Sequence, residues 1–156
     1  MAIPGLTSAL IPKLEAIPWM ANVPFRLVEE LASYLESRKF ARGEIIFREG
    51  AHDHFLGFIV SGRIQITKDN GEGQERELAM LGRGQEMGEM SLVDGHPRSA
   101  SGRAVENTEI LVLRPERFRE LRDKSPELAL VLMTRVATLL SQKLRATSGH
   151  LVEVLH

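Results

Sequence analysis

The chain has 156 residues, of which 26% are charged, and its formal net charge is −1. This length suits one domain that buries its own core, and the balanced charge argues against a strong general attraction to nucleic acid. The sequence contains no cysteine, which excludes disulfides and thiolate metal sites. No apolar run approaches the roughly 20 residues of a membrane span, and the N-terminus lacks the basic start of a signal peptide. We therefore expect a cytoplasmic protein that has no membrane partner.

Residues 1–37 are predicted to form an N-terminal helical segment. Apolar side chains recur at helical spacing over residues 5–15 and again over residues 25–37. Prolines divide the region into short pieces, because proline ends or kinks a helix. We expect these helices to pack on the outside of the part of the chain that follows.

Residues 38–124 change to short apolar runs separated by glycines. Short strands with glycine turns are typical of a small antiparallel barrel. Asn70 and Gly71 lie between two of these runs and predict a hairpin, although the loop is longer than two residues. The predicted fold class is therefore mainly β with flanking α: a small antiparallel β-barrel or jelly roll, also called a double-stranded β-helix, with N-terminal helices and a long C-terminal helix.

Residues 88–100 carry side chains suited to one small anionic sugar phosphate. Gly88 opens a short helix, and the guanidinium of Arg98 suits a phosphate that has two free oxygens. The hydroxyl of Ser99 adds a neutral donor. Glu89 would repel a phosphate unless another group occupied its oxygens, and a ribose hydroxyl could donate to it.

This run resembles the phosphate-binding cassette of cyclic nucleotide-binding domains, whose pattern is FGE, a small apolar run, and then PR followed by Ser or Thr and Ala. Only the leading aromatic residue differs, since Met87 stands in its place. The resemblance implies a cassette over residues 84–100 in which Glu89 takes the ribose 2′ hydroxyl and Arg98 and Ser99 take the cyclic phosphate. It also implies ligand contacts from Gly88, Met90 and Ala100, through their backbone, and from Ser91.

Residues 60–88 resemble, without a gap, the catabolite-activator branch of this family. That resemblance places Ile66, Leu78 and Leu81 against the nucleotide. The same three residues would also suit plain barrel core, and the two interpretations are compatible because a purine pocket is mostly apolar.

Residues 125–156 are predicted to form a long lid and dimerisation helix, which Ser125 and Pro126 begin. One apolar stripe suits packing on the barrel and consists of Leu128, Leu132, Val136 and Leu139. A second stripe keeps heptad spacing and consists of Leu130, Met133, Ala137, Leu140, Leu144, Thr147, Leu151 and Val154. A heptad stripe seeks a second helix, so we expect a parallel homodimer through this helix.

Residues 144–151 resemble the base-binding end of the long helix in the catabolite-activator branch. By that resemblance Thr147 bonds the adenine edge and Ser148 reaches the ligand of the neighbouring subunit. The alternative is a threonine tolerated near a frayed helix end, because Gly149 costs about 1 kcal/mol of helix stability there. Cyclic AMP is the expected ligand, but cyclic GMP stays open because hydroxyls both donate and accept hydrogen bonds.

The residues together predict a stand-alone sensor, not an enzyme, that binds cyclic AMP and signals through movement of its C-terminal helix. We expect no direct DNA binding, since only nine residues follow Thr147, and the sequence does not name a downstream protein partner. The alternative is a fragment or relative of a catabolite-activator-type transcription regulator that senses another small molecule.

A metal-dependent enzyme is the remaining rival. His52, Asp53 and His54 have the HxH spacing that some small barrels use for a metal. However, no glutamate follows within residues 55–60, and the other histidines fall in the cassette loop or the last helix. Fewer than three ligands do not make a typical site. We therefore expect neither a metal nor a cofactor.

Overall fold

The computed structural model describes residues 4–155, with the side chains of residues 4, 91 and 150–155 excepted. Within that range the chain forms eight strands, five α-helices and one 3-10 helix. The helices are α1 (Pro4–Glu15), the 3-10 helix (Pro18–Asn22), α2 (Phe25–Ala32), α3 (Glu89–Asp94), α4 (Pro115–Lys124) and α5 (Pro126–Leu155). The strands are β1 (Glu36–Phe40), β2 (Ile45–Phe47), β3 (Leu56–Ser61), β4 (Arg63–Asp69), β5 (Glu75–Gly82), β6 (Glu86–Met87), β7 (Ser101–Ala104) and β8 (Thr108–Leu113). No helix in this range combines the length and the hydropathy that crossing a membrane requires.

The strands form two four-stranded sheets. The first sheet has the order β1-β8-β3-β6 and the second has the order β2-β7-β4-β5, with antiparallel pairing in both. Neighbours in each sheet are often distant in sequence, as in a double-sheet jelly roll. The predicted fold, mainly β with flanking helices and a long C-terminal helix, is confirmed.

Strands β4 and β5 form the predicted hairpin. Asp69 pairs with Glu75 at the closed end of the ladder, and Asn70 lies in the connecting turn. Gly71 in the same turn has a φ of +88°. A side chain at such a left-handed position costs roughly 1–2 kcal/mol, which is why glycine suits it.

The buried apolar side chains form two clusters that share β3 and β8. The inter-sheet cluster lies between the two sheets and contains Ile46, Phe47, Phe55, Ile59, Ile64, Met87, Ala104, Ile110 and Val112. The helical cluster joins the first sheet to the helices and includes Leu10, Leu14, Ile17, Met20, Leu27, Val28, Leu31, Leu56, Phe58, Leu111, Leu113, Leu121, Leu128, Leu132 and Val136.

Strand β8 shows why its sequence is continuously apolar. Ile110 and Val112 belong to the inter-sheet cluster, whereas Leu111 and Leu113 belong to the helical cluster. Successive side chains of a strand point to opposite faces, so a strand that is covered on both faces has few polar positions. The first sheet is therefore covered by the second sheet on one side and by helices on the other.

The N-terminal helices and α5 pack on the same face of the first sheet. Leu14 and Leu27 belong to the helical cluster together with Leu132 of α5 and Phe58 of β3. Residues from all three predicted segments, 1–37, 38–124 and 125–156, therefore belong to one cluster. The assignment of helical, nucleotide-binding and dimerisation roles to these segments stays a prediction.

The two stripes of α5 have different surroundings. Leu128, Leu132 and Val136 of the first stripe are buried in the helical cluster as predicted, whereas Leu139 is half-buried and outside it. Met133 and Leu140 of the second stripe pack against the same cluster. On the second stripe Leu130 and Leu144 are each 68% exposed. Ala137 and Thr147 are also exposed, while Met133 and Leu140 are half-buried; the side chains of Leu151 and Val154 lie outside the described residues.

Candidate functional site

A cavity of about 180 Å³ opens beside the chain that follows β6. We call it the cassette cavity. Its walls come from both sheets, from residues 84–100 and from α5. The lining residues are Phe47, Ile66, Leu81, Glu86, Met87, Gly88, Glu89, Met90, Asp94, His96, Pro97, Arg98, Ser99, Ala100 and Lys143.

Gly88 links β6 to α3 at one wall of this cavity. Its φ is +79°. A Cβ atom at this position would overlap the carbonyl oxygen of Phe55 and the guanidinium of Arg98. Both the backbone angle and the close approach therefore require glycine. As a result, Glu89 at the start of α3 and Arg98 line the same cavity.

Arg98 is a buried cation, with only 6% of its surface exposed. Its Nε donates to the carbonyl oxygen of Asp53 at 3.0 Å and its Nη2 donates to that of Phe55 at 3.4 Å. The guanidinium also lies 4.6 Å from the ring centre of Phe47 and 4.5 Å from that of Phe55. Burial lowers the pKa of Arg98, while the charges of Asp53 and Glu89 act in the opposite direction. Since arginine stays protonated in proteins, the site holds an oriented positive charge.

Glu89 is the buried anion of the cavity. Its side chain is 2% exposed, whereas that of its partner Lys143 is 61% exposed. Nζ of Lys143 donates a hydrogen bond to Oε1 of Glu89, and the two groups form an ion pair. A lysine from α5 thus reaches into the cavity to meet a carboxylate of the cassette.

The other predicted cassette residues lie around the same space. Ser99 and Ala100 line the cavity, and the carbonyl oxygen of Ser99 accepts a hydrogen bond from Lys68 Nζ at 2.7 Å. Met90 lines the cavity while 48% exposed. The backbone of Ser91 belongs to α3, but its side chain lies outside the described residues.

Ile66, Leu81 and Phe47 are the apolar side chains that the second sheet contributes to the cavity lining, and the ring of Phe47 lies against the Arg98 guanidinium. The first two come from β4 and β5, which pair in the second sheet. A cavity with one apolar wall and a few convergent polar groups is the usual form of a small-molecule site.

Leu78, the third apolar residue of the sequence prediction, lies away from this wall and is 55% exposed. The β4–β5 register shifts there, since Ile66 pairs with Ala79 but Thr67 pairs with Glu77. Leu78 is therefore the extra residue of a β-bulge. A regular strand would also separate Leu78 from Leu81, because residues three apart point to opposite faces. Its contact with the nucleotide stays a prediction that this arrangement does not support.

Thr147 and Ser148 are exposed on α5 and do not line the cassette cavity within this chain. The hydroxyl of Thr147 donates to the carbonyl oxygen of Lys143 at 2.9 Å, one helical turn earlier. Residues four apart lie on the same side of a helix. Thr147 therefore follows Lys143 along the side of α5 that reaches the cavity, and the predicted base contact stays a prediction.

Glu86 is a cavity residue that the sequence analysis missed. Its side chain is 2% exposed and accepts two hydrogen bonds from Arg135 of α5, at 3.0 Å from Nε and 3.2 Å from Nη2. The Arg135 guanidinium also lies 5.4 Å from the ring centre of Trp19 in the 3-10 helix. This ion pair fastens the cavity wall to α5.

Neither Glu86 nor Lys143 belongs to the motif that singles out the cassette. Their partners lie 49 and 54 residues away in sequence, so no local spacing indicates the contacts. The position of Glu86 directly before the apolar strand residue Met87 was a weak sign that this carboxylate is buried. For Lys143, its position four residues before Thr147 was the available signal.

The histidines of the HxH pattern lie close to each other but form no recognisable metal centre. The ring centres of His52 and His54 are 6.1 Å apart. Within the part of the chain that the structure describes, no group of three His, Cys, Asp or Glu side chains could hold a metal ion.

The chain is similar in sequence to a known domain family and to a curated relative. A family model described as "Cyclic nucleotide-binding domain" matches residues 37–125. The "Cyclic AMP receptor protein" of Thermus thermophilus is 39% identical over 118 residues, which are 76% of this chain and 53% of that relative. The chain thus spans about half the length of this curated relative.

Solved structures share the fold. The crystal structure of the Thermus thermophilus catabolite activator protein has a TM-score of 0.75 and 36% identity, and the match covers 86% of this chain and 61% of that one. A cyclic nucleotide-binding domain from Methylobacillus flagellatus has a TM-score of 0.80 and 26% identity, and the match covers 92% and 81% of the two chains.

Gly88→Ala should destabilise the protein more than Gly95→Ala does. Both glycines have a left-handed φ, of +79° and +66°, but a Cβ atom at Gly95 meets nothing within 4 Å. Gly95→Ala should therefore cost only the backbone term of roughly 1–2 kcal/mol, and Gly88→Ala should add the overlap with Phe55 and Arg98. Denaturant unfolding of both variants measures the difference, and equal losses would contradict the close approach.

Proposed function

The chain belongs to the cyclic nucleotide-binding domain family, and we propose that it is a sensor whose ligand is cyclic AMP and whose output is a movement of α5. The observation that carries the proposal is the convergence of buried Arg98 and buried Glu89 on one cavity that has an apolar wall. A cation for phosphate, a carboxylate for a hydroxyl and an apolar wall for a base match the three parts of a nucleotide.

The phosphate is proposed to bind at Arg98 and Ser99. The carbonyl oxygens and aromatic rings around Arg98 orient its guanidinium before any ligand arrives. Pre-organised charged donors lose less entropy on binding than flexible ones. We assign supporting contacts to Gly88, Met90 and Ala100, and to Ser91 on the cassette resemblance alone.

The ribose is proposed to donate its 2′ hydroxyl to Glu89. This assignment explains why a carboxylate lies in a cavity for an anion, since a hydroxyl donor can satisfy its oxygens. A different small molecule in the same fold would have little need for Glu89, Arg98 and Ser99 together. That alternative is therefore less well supported than a cyclic nucleotide.

Cyclic AMP is preferred to cyclic GMP because a relative that is 39% identical is named a cyclic AMP receptor protein. For the base we propose Ile66 and Leu81 as the apolar wall and Thr147, with Ser148, as the polar contact. Thr147 and Ser148 lie outside the cavity of a single chain. Base recognition therefore requires that α5 moves or that a second copy contributes its helix.

A homodimer through α5 forms part of the proposal. Leu130 and Leu144 leave 68% of their surfaces exposed at heptad spacing, and such a stripe is stable when a second helix covers it. We propose a receptor role rather than catalysis, in the cytoplasm, with a downstream protein partner that the chain itself does not identify. The chain matches about half the length of its curated relative, so the proposal covers nucleotide binding and the movement of α5 and no other activity of that relative.

Arg98→Ala should weaken cyclic AMP binding by about 10- to 100-fold, because hydrogen bonds to charged groups contribute about 1.5–3 kcal/mol. Isothermal titration measures the loss, with circular dichroism to show that the variant folds. Arg83→Ala, at an exposed arginine outside the cavity, is the control. Unchanged affinity in folded Arg98→Ala would contradict the phosphate assignment.

Thr147→Ala should reduce the preference for cyclic AMP over cyclic GMP, with a smaller loss of affinity than Arg98→Ala, because one neutral contact is removed. Thr138→Ala is a matched control, since Thr138 is also exposed on α5 and bonds the carbonyl oxygen four residues earlier at 2.8 Å. Titrations with both nucleotides give the selectivity. If both variants keep the selectivity of the unmodified chain, Thr147 does not read the base.

Leu130→Glu combined with Leu144→Glu should convert the dimer to a monomer, because like charges would meet on a stripe that needs apolar contact. Leu6→Glu provides the control at a leucine that is 63% exposed on α1. Light scattering coupled to size exclusion measures the mass. A double variant that remains dimeric would show that the interface lies elsewhere.

A further inference from the structure

Lys143 is the one lining residue that α5 contributes to the described cassette cavity. Its side chain is 61% exposed, yet its ammonium pairs with Glu89, whose side chain is 2% exposed. A long lysine side chain can place its charged end on a buried group while the helix itself stays in solvent. The contact therefore joins a long, largely exposed side chain to a buried carboxylate of the site.

We propose that Lys143 sets the affinity of the site by competing with the ribose hydroxyl for Glu89. This inference rests on the proposed function, in which Glu89 accepts the 2′ hydroxyl. Nζ of Lys143 bonds Oε1 of Glu89, and the ribose hydroxyl is proposed to take this same oxygen, so that the bound nucleotide displaces the ammonium. Part of the binding free energy of the nucleotide is then spent on breaking the Lys143–Glu89 pair, which lowers the observed affinity.

The same displacement releases one part of α5 and leaves another part fixed. Arg135 lies eight residues before Lys143, about 12 Å along the helix axis. It is held by two hydrogen bonds to Glu86, and the neighbouring Leu132 and Val136 are buried in the helical cluster. By contrast, residues 141–149 are exposed throughout. Val136 is buried and Leu140 packs against the same cluster, so the segment in question is residues 141–149, whose described side-chain contact with the cassette is the Lys143–Glu89 pair.

The competition predicts that removing this cation increases the affinity for an anionic ligand, although removing a cation from an anion-binding site usually decreases it. Simple attraction between Lys143 and the phosphate would make Lys143→Met bind more weakly. Competition makes Lys143→Met bind cyclic AMP more tightly, by about 1.5- to 5-fold if the pair contributes as exposed ion pairs do. Methionine keeps an unbranched apolar stem and removes only the ammonium.

Titration of the full chain with cyclic AMP and with 2′-deoxy cyclic AMP tests the proposal. The gain in Lys143→Met should appear with cyclic AMP and vanish with the deoxy analogue, which does not need Glu89. Lys143→Arg should resemble the unmodified chain because it keeps a cation. Arg145→Met is the matched charge-removal control, since Arg145 is exposed on α5 and lies roughly 200° around the helix from Lys143.

Amide hydrogen exchange without nucleotide supplies a second readout. Residues 141–149 of α5 should exchange faster in Lys143→Met than in the unmodified chain or in Arg145→Met, because the attachment of this exposed segment to Glu89 is gone. Equal exchange in all three proteins would overturn the release of α5.

The outcomes separate this inference from the proposed function. If the unmodified chain binds cyclic AMP and Lys143→Met binds it equally or more weakly, the competition is wrong and the proposed function stands. If none of the proteins binds either nucleotide, the proposed function is wrong and the competition falls with it. A gain of equal size with both nucleotides would also overturn the competition for Glu89.

Discussion

The burial of two opposite charges on one small cavity is the constraint on which this structure depends. An ionised group inside a protein is costly unless it is paired or bonded. Arg98 meets that requirement with carbonyl oxygens and two aromatic rings, and Glu89 meets it with Lys143. The arrangement of Arg98 also requires the left-handed glycine at residue 88, because a Cβ atom there would overlap the guanidinium and the carbonyl oxygen of Phe55.

The two solutions differ in what a ligand has to change. The partners of Arg98 are backbone oxygens and rings of the barrel, so the side of the cavity proposed for the phosphate is oriented in advance. The partner of Glu89 is a long side chain from another element, so the side proposed for the ribose is linked to α5. In the proposed function the first side supplies affinity and the second connects the ligand to the C-terminal helix.

The first sheet links the cavity to the helices. Strands β3 and β8 are covered by the inter-sheet cluster on one face and by the helical cluster on the other. At the edge of this sheet, Glu86 of β6 lines the cavity and accepts a hydrogen bond from Arg135 of α5. The guanidinium of Arg135 lies over the ring of Trp19. The ring of Trp19 lies 6.2 Å from that of Phe58 in the sheet. The cavity wall, the C-terminal helix and the N-terminal helices therefore meet at one arginine.

The sequence by itself determined the jelly-roll class, the β4–β5 hairpin, the barrel-facing stripe of α5 and the cassette that carries Glu89 and Arg98. The first three follow from strand and helix periodicity and from turn glycines, whereas the cassette follows from a short motif that resembles that of the family. Only the tertiary structure decided that Ile66 and Leu81 line the cavity while Leu78, at the bulge of β5, is 55% exposed, because the pairing of strands sets which side chains face the cavity. It also decided the pairs Glu86–Arg135 and Glu89–Lys143, since a charge that must be neutralised on burial takes whichever partner the fold brings near, here 49 and 54 residues away.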